Sequence, residues 1–444
     1  MLLTRPDRLL RWDVLEEHLD EAAFLWAQWE QALWSAAYTL SEVEAGPEGR
    51  MRAHLEALVM GGRRVTERFL KPALAGDDVE CIRTAAFALL AEGEEADVDA
   101  VLRVLTEGEE AGRAAVQRAL EVSEWKALDE RLRPLLDTEA ASVQAAALEV
   151  LRFRRIYPGP VLLTLLTHEA QRVRTAAWRA ACLWPEKVSP ETVRRALDSS
   201  DVASRSMAVE LGLMHGMRVA WKCCQELVES AGASGRMARV LLAMGGEPGD
   251  VEWLTKLLEV HGLRRDVLWA LGFSGRVAAA EACIPWLGDE EVGGTAAEAF
   301  CSITGLPLEE EFVRESPEEP SEEPIPFDEE ALDAELVPGP DPELVLLEPA
   351  AVERWWGQAR KDFEPKGRYL GGNPLVLGRL MEALGLAPMR RRPMLALELA
   401  IRSRGRHQVE TRAFSSVQKR QLEAVHSLHG GSFSMGPFSN WIGG

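Results

Sequence analysis

Arginines recur at a nearly constant spacing through the middle of the chain and are its most regular polar feature. Anchor positions follow one another at intervals of 30 or 31 residues, namely Arg83, Arg113, Gln144, Arg174, Arg205, Arg236 and Asp266. A row of guanidinium groups could bind an anionic ligand or an acidic partner. The alternative is structural, with each arginine bonding a turn aspartate or a helix-end carbonyl of an adjacent unit. The structural alternative is favoured because the total charge is negative, and Asp266 and Gly294 interrupt the series. The candidate partner-binding residues in this row are Arg83, Arg113, Arg174, Arg205 and Arg236.

A second group of basic residues lies near the end of the chain. Residues 349–429 contain fifteen Lys or Arg against seven acids, and the triplet Arg390, Arg391 and Arg392 completes the candidate partner-binding set. Residues 309–335 contain thirteen acids against one arginine. The basic block could bind this acidic run in cis, or it could bind an acidic partner or nucleic acid. Binding in cis is favoured because a tethered segment is always at high effective concentration.

No other residues form a pattern with known chemistry. The eight histidines are scattered, the six cysteines lack paired spacing, and no Gly-rich phosphate loop or nucleophile elbow occurs. The sequence therefore predicts no catalytic residue, no metal site and no cofactor, and we expect a non-enzymatic protein. The cysteines are predicted to be buried free thiols in a reducing compartment.

Composition limits the classes of partner and the compartment. The 444 residues carry a net charge of −21, and residues 1–308 alone hold 48 acids against 34 Lys or Arg. Binding to nucleic acid needs clustered basic charge, so we expect a protein partner instead. The first residues lack the apolar core of a signal peptide, and no run reaches the eighteen apolar residues of a membrane span. The predicted location is cytoplasmic.

The regular spacing of the arginines implies repeating structural elements. Each unit of about thirty residues carries a polar turn, an Ala-rich helix that begins with the anchor, and a bulkier helix ending near Leu-Leu. The best examples of the anchor motif are Asp78–Ala86 and Val173–Ala177. This motif resembles the short form of HEAT repeats. The prediction is an all-α protein, a right-handed α-solenoid of HEAT-like repeats with a small helical C-terminal domain.

Shifts in composition place the predicted boundaries. Residues 1–75 form an N-terminal helical cap with four tryptophans, which seals the first repeat or presents an aromatic binding face. Residues 76–305 form the repeat array, and the Glu- and Pro-rich residues 306–348 form a disordered or extended linker. Residues 349–429 form the basic C-terminal domain, or further repeats displaced by the linker. Residues 430–444 form a flexible tail, or a docking peptide that uses Phe433, Phe438 and Trp441.

Both ends of the chain resemble a narrower group of proteins. The segments His18–Trp26 and Arg368–Gly372 are similar to an uncharacterised HEAT-repeat family of myxobacteria and vibrios, often encoded beside type VI secretion genes. The resemblance implies a cytoplasmic adaptor or accessory protein that handles secretion effectors. Two alternatives stay open: an immunity-type partner of a toxin, and a HEAT-like repeat enzyme of the bilin-lyase or DNA-glycosylase type. No residue-level argument supports the enzyme alternative.

Overall fold

The computed structural model describes residues 10–314, 344–426 and 434–443. The chain begins with a helical region in which α1 packs against α3 and α6. Its tryptophans Trp26 and Trp29 are completely buried, so they contribute bulk to the core and not to the surface. The five helices are α1 (Trp12–Ala32), α2 (Leu40–Val43), α3 (Gly49–Met60), α4 (Arg63–Val65) and α5 (Lys71–Leu74), with π-helical turns at Glu44–Glu48 and Thr66–Leu70.

Fifteen helices follow between residues 79 and 304. They are α6 (Val79–Glu92), α7 (Glu95–Glu107), α8 (Glu110–Val122), α9 (Leu128–Leu132), α10 (Ala141–Phe153), α11 (Val161–Leu165), α12 (Gln171–Leu183), α13 (Pro190–Leu197), α14 (Val202–Met214), α15 (Arg218–Leu227), α16 (Gly232–Gly245), α17 (Pro248–Lys256), α18 (His261–Ser274), α19 (Val277–Cys283) and α20 (Gly293–Thr304). Short 3-10 turns extend several of them at Arg133–Asp137, Pro185–Lys187, Leu257–Glu259 and Ile284–Trp286.

The even-numbered helices from α6 to α20 form a row, in which each helix packs against the next one. We call these eight the row helices. Pairs of buried alanines such as Ala85 with Ala86 and Ala176 with Ala177 allow the close approach of neighbouring helices. The Asp78 carboxylate caps α6 by accepting hydrogen bonds from two backbone N–H groups, and Gly275 and Gly305 end α18 and α20 with positive φ angles. The predicted all-α class is confirmed, and the assignment to a HEAT-type solenoid stays a prediction.

The residues after 344 form a C-terminal block that lies against the row helices. It contains α21 (Pro349–Ala359), a hairpin of β1 (Tyr369–Leu370) and β2 (Asn373–Pro374), α22 (Leu377–Leu386), α23 (Arg392–Arg402) and α24 (Ser415–His426). The hairpin turns at Gly371 and Gly372, which both have positive φ, so the Gly-Gly sequence forms a two-residue turn between short strands. The block shares one hydrophobic core with the row helices.

Two further predicted segments lie partly outside the described residues. Residues 315–343, which include most of the acidic run 309–335, lie outside the described residues. The chain on either side of it is paired, because Arg314 N–H donates to the Leu346 carbonyl at 2.8 Å and Glu348 N–H donates to Phe312 at 2.9 Å. The predicted flexible tail is described from 434 to 443, and there Phe438 is completely buried because it enters an aromatic pocket.

No helix within the described residues is long and apolar enough to cross a membrane. The helices are short and their exposed faces are charged, as expected for helices that bury one stripe against neighbours.

Candidate functional site

The anchor arginines at the starts of the row helices are bonded within the protein. Arg113 donates from Nε to the Leu105 carbonyl at 3.0 Å and from Nη2 to the Gly108 carbonyl at 2.6 Å. Gln144, the anchor of the next unit, donates to the Leu136 carbonyl at 2.5 Å. Both anchors therefore satisfy carbonyls at the turn that precedes their own helix.

The other four anchor arginines form ion pairs with acidic side chains. Arg174 bonds the Asp201 carboxylate of the next unit at 3.1 Å, and Arg236 bonds Asp266 at 2.8 Å. Arg205 bonds Glu226 at 3.1 Å, while Arg83 bonds Glu80 on its own helix at 2.7 Å. The contacts of Arg174 and Arg236 join neighbouring units, whereas Arg83 and Arg113 make contacts closer in sequence. All five arginines of the row have partners within the protein.

The basic triplet is mostly buried. Arg391 has a side chain only 3% exposed, and it donates to the Gly272 carbonyl at 2.9 Å. Arg392 is completely buried and donates to the Leu384 carbonyl and to Gln418, both at 2.6 Å. Burial lowers the pKa of Arg392 to about 10. Carbonyl groups bind both guanidinium groups, and the rings of Trp269 and Phe273 lie against Arg391. The assignment of the triplet to a partner-binding surface stays a prediction.

The C-terminal block instead binds the carbonyl ends of the row helices. Arg368 donates to Ser274 at 2.8 Å and to Phe273 at 3.2 Å, at the end of α18. Arg402 reaches the Met244 carbonyl at the end of α16 at 3.1 Å. Gln408 donates to the Cys182 carbonyl of α12 at 2.9 Å. Cations at helix C-termini are favourable because the helix dipole places partial negative charge there.

The same block also reaches the N-terminal helices. Glu48 is 1% exposed, and its carboxylate accepts hydrogen bonds from the Ser415 N–H at 3.0 Å and the Ser415 hydroxyl at 2.8 Å. Glu30 accepts from Arg118 at 2.5 Å and from Arg412 at 3.0 Å. The basic residues of the block are therefore largely used for internal contacts.

An open groove remains near the starts of α8, α10 and α12, with a volume of about 640 Å³. We call it the row groove. Its floor is formed by alanines, among them Ala114, Ala145 and Ala176, and its walls carry Gln117, Ser142, Gln171 and Thr175. Arg172 and Arg179 also line it, and their side chains are 55% and 56% exposed. Glu110 and Glu149 line the groove as well, and they pair with Arg172 at 3.7 Å and with Arg179 at 3.1 Å. The groove thus combines small apolar side chains, hydrogen-bonding side chains and two half-exposed arginines that are each paired with an acid.

Charges of alternating sign run along the row helices beside this groove. Arg118, Glu149, Arg179 and Glu210 occupy the same position in four successive units, each five residues after the anchor. Glu149 accepts from Arg179 at 3.1 Å and from Arg152 at 2.7 Å. The sequence interpretation missed this ridge. The signal was available, because the same 30- to 31-residue spacing that marks the anchors also relates these four residues.

Glu210 at the end of this ridge has an unusual protonation equilibrium. Burial raises its pKa to about 7, and the attraction of Arg179 lowers the pKa only in part. A carboxyl that titrates near neutrality is a feature of some active sites, but structural ion-pair networks produce the same shift. Among the described residues no three His, Cys, Asp or Glu side chains group closely enough to hold a metal ion.

A larger cavity of about 720 Å³ lies at the N-terminal end of the row. It is lined mainly by apolar side chains, including Leu55, Phe87, Trp125 and Phe414, and Met60 stands at its edge with 86% exposure. Aromatic residues and methionine are enriched in the centres of protein–protein interfaces. We call this the apolar cavity.

Comparisons with known proteins assign no family to the chain. No family model matches it, and no curated protein does. The crystal structure of YibA of E. coli, a structural genomics target, aligns with 15% identity and a TM-score of 0.37, over 56% of this chain and 96% of YibA. A structure described as an engineered protein aligns with 14% identity and a TM-score of 0.31, over 86% and 98% of the two chains. Similarity at this level carries no argument about function.

Proposed function

We propose that the protein is a protein-binding scaffold whose row groove holds an extended, acidic segment of a partner protein. The observation that carries this proposal is the groove itself, with its alanine floor and the exposed guanidinium groups of Arg172 and Arg179. Both guanidinium groups are more than half exposed although Glu110 and Glu149 pair with them, so a carboxylate of a partner can exchange with these two acids.

The chemistry of the groove suits a peptide in extended form. Alanines let a main chain approach the helices closely, because they add only one carbon beyond the backbone. The side-chain amides of Gln117 and Gln171 offer both donors and acceptors, which match the N–H and C=O groups of a peptide. Guanidinium groups bind carboxylates with two parallel hydrogen bonds, so the partner segment should carry Asp or Glu.

The apolar cavity supports the same function. It offers a second surface, rich in large apolar side chains, where a partner could bury aromatic or aliphatic residues. Interfaces usually combine such an apolar centre with polar contacts around it.

We further propose that the row is a right-handed HEAT-type α-solenoid and that the protein serves as a cytoplasmic adaptor of a type VI secretion system. The 30- to 31-residue period supports the repeat assignment. The resemblance of His18–Trp26 and Arg368–Gly372 to a family encoded near secretion genes supports the role.

The test compares two charge-reversed variants in pull-downs from the native host. Arg172→Glu with Arg179→Glu alters the groove, and Arg63→Glu with Arg195→Glu is the control, because both control arginines are at least 74% exposed and lie elsewhere. Each variant changes the total charge equally. Proteins recovered with the unaltered chain are identified by mass spectrometry, produced in pure form and titrated against all three chains.

We expect the groove variant to bind a genuine partner roughly tenfold more weakly or worse, while the control binds normally. Affinity should also fall as the salt concentration rises, because the exposed charges are screened. Equal affinity of both variants for every purified partner would exclude the groove as the binding surface.

A further inference from the structure

The last described residues, 434–443, form a segment without any charged side chain that lies over α15 and α16. We call it the tail segment. Phe438 is completely buried, with its ring centroid 5.5 Å from that of Trp221 on α15 and 5.4 Å from that of Trp441. The Arg402 guanidinium lies 5.1 Å from the Phe438 ring centroid. Phe438 therefore fills a pocket built by two elements remote from it in sequence.

The floor of this pocket is Gly245. A Cβ atom at this position would lie 2.1 Å from Cδ2 of Phe438, which is closer than any real contact. Only glycine leaves room for the ring at this depth. The pocket thus depends on the lack of a Cβ atom at Gly245, the last residue of α16.

Two buried arginines bind the backbone of the tail segment. Arg402 Nη1 donates to the Ser434 carbonyl at 2.8 Å and to the Gly436 carbonyl at 3.0 Å. Arg368 Nη1 donates to the Met435 carbonyl between them at 3.2 Å. Three consecutive carbonyls are therefore recognised by groups that belong to the folded body.

The arginines are held in place without the tail segment. Glu398 is 2% exposed, and its Oε1 atom accepts from Arg368 at 3.0 Å and from Arg402 at 2.8 Å. Helix-end carbonyls of α16 and α18 bind the same two guanidinium groups. A site whose donors are fixed in advance loses little freedom on binding, which favours recognition of a ligand.

The surroundings also define which peptide fits. The site binds backbone carbonyls and takes one phenylalanine into a closed pocket. It also places Trp441 beside Gly216, where an added Cβ atom would lie 3.8 Å from the indole ring. The Ser439 hydroxyl donates to Glu247 at 2.6 Å, so an acidic residue there would be repelled. The matching ligand is an uncharged segment with Phe and Trp three residues apart.

We propose that this is a peptide-recognition site, which the tail segment fills within its own chain, and that a partner protein carrying an uncharged Phe-x-x-Trp segment occupies it by displacing the tail. The tail segment is tethered to α24 and is therefore present at high effective concentration. A partner segment must compete with the tail segment, so the tail segment lowers the apparent affinity of the site for the partner. This inference is independent of the row groove.

The experiment measures binding of a fluorescent synthetic peptide with the sequence of residues 434–443 to the full chain. Phe438→Ala in the protein weakens its own tail and leaves the pocket intact. We expect the peptide to bind this variant at least tenfold more tightly than the unaltered chain, by relief of competition. A control peptide with alanine in place of its phenylalanine should bind neither protein. Adding Gly245→Ala to the variant should abolish binding, because the new Cβ occupies the pocket.

Circular dichroism and thermal melting first establish that Phe438→Ala is folded. If it is not, Trp441→Ala, which removes a half-buried ring, serves for the same comparison. A folded variant that does not bind the peptide would overturn the proposal. Light scattering tests whether the unaltered chain forms dimers that depend on the tail segment. Such dimers would mean that a second copy of the chain, and not a partner protein, occupies the site, and they would also overturn the proposal.

Discussion

The two ends of the row helices use arginine in different ways. At their starts, anchors such as Arg113 and Arg174 bind turns and acids of the same or the neighbouring unit. At their ends, Arg368, Arg391 and Arg402 come from the C-terminal block, about 90 to 160 residues further along the chain. The starts are therefore closed by local contacts and the ends by remote ones.

This difference distinguishes contacts that recur in each unit from contacts that form only once. A local contact can be repeated in every unit, and it yields the regular spacing in the sequence. A remote contact forms only once, and it yields a cluster of arginines without visible period. Residues of one type can therefore carry very different shares of the stability, according to burial and the chain length they connect.

The largest effect is expected from removing a buried arginine at the helix ends. Arg391→Ala removes one of the two cations beside the buried Glu298, the other being Arg390 at 3.6 Å. It also leaves the Gly272 carbonyl without this donor and removes the contact with the Phe273 ring at 4.2 Å. We expect the free energy of unfolding to fall by about 3 kcal/mol. Urea unfolding measures it, with the exposed Arg354→Ala in the same block as control. A loss below about 1 kcal/mol would remove the distinction between ends and starts.

A pH-dependent effect is expected midway along the row helices. Glu210 has a folded pKa of about 7 against an ordinary value of 4.5, so the folded state holds more protons between these values. Its contribution to stability is therefore present below pH 4.5 and is lost as pH rises towards 7. Glu210→Gln should be more stable than the unaltered chain at pH 7.5, by up to about 3 kcal/mol, and nearly equal at pH 4.5. Unfolding at both pH values measures this, and a pH-independent difference would contradict it.

A smaller effect is expected at the helix starts. Arg113→Ala leaves the Leu105 and Gly108 carbonyls without their donor, and we expect a loss of roughly 1–2 kcal/mol. Exposed Arg103→Ala on the adjacent helix is the matched control. If Arg113→Ala leaves the free energy of unfolding unchanged but lowers the affinity for a purified partner, the anchors belong to a binding surface. That outcome would support the interpretation of the row as a site for an anionic ligand or an acidic partner.

The smallest effect concerns a histidine pair in the N-terminal helices, away from both ends. His18 and His54 face each other with their Nδ1 atoms 2.9 Å apart, near Glu17, Glu21 and Arg50. Burial and His18 lower the pKa of His54 below 6.5. The unfolded chain therefore takes up a proton first, and stability should fall as pH drops through this range. His54→Gln should flatten that dependence in thermal melts between pH 5.5 and 7.5, and an unchanged slope would contradict the pairing.

The helices of the row follow from the sequence because their causes are local. The spacing of the anchors, the paired alanines and the capping Asp78 all act within one or two turns of helix. The row helices accordingly lie where the repeated segments predict them. The alternating ridge from Arg118 to Glu210 was equally periodic and could have been read from the same alignment.

The burial of the basic triplet could not be read in this way. Arg391 is bound by the carbonyl of Gly272, 119 residues earlier, which lies in the last turn of α18. The pocket for Phe438 likewise depends on Gly245 and Trp221 in two separate helices. Composition predicts a basic surface and a loose tail from these segments, since the groups that enclose them are remote in sequence.

The contact between Glu48 and Ser415 has a consequence for biosynthesis. The two residues are 367 positions apart, and Glu48 is 1% exposed in the folded chain. On a ribosome that adds about 5 to 20 residues per second, Glu48 waits roughly 20 to 70 s for this partner. During that time the Trp29 indole N–H, at 3.2 Å, is the hydrogen-bond donor that the N-terminal helices themselves offer to this carboxyl group. The full set of donors to Glu48 is therefore assembled only after the last helices have been synthesised.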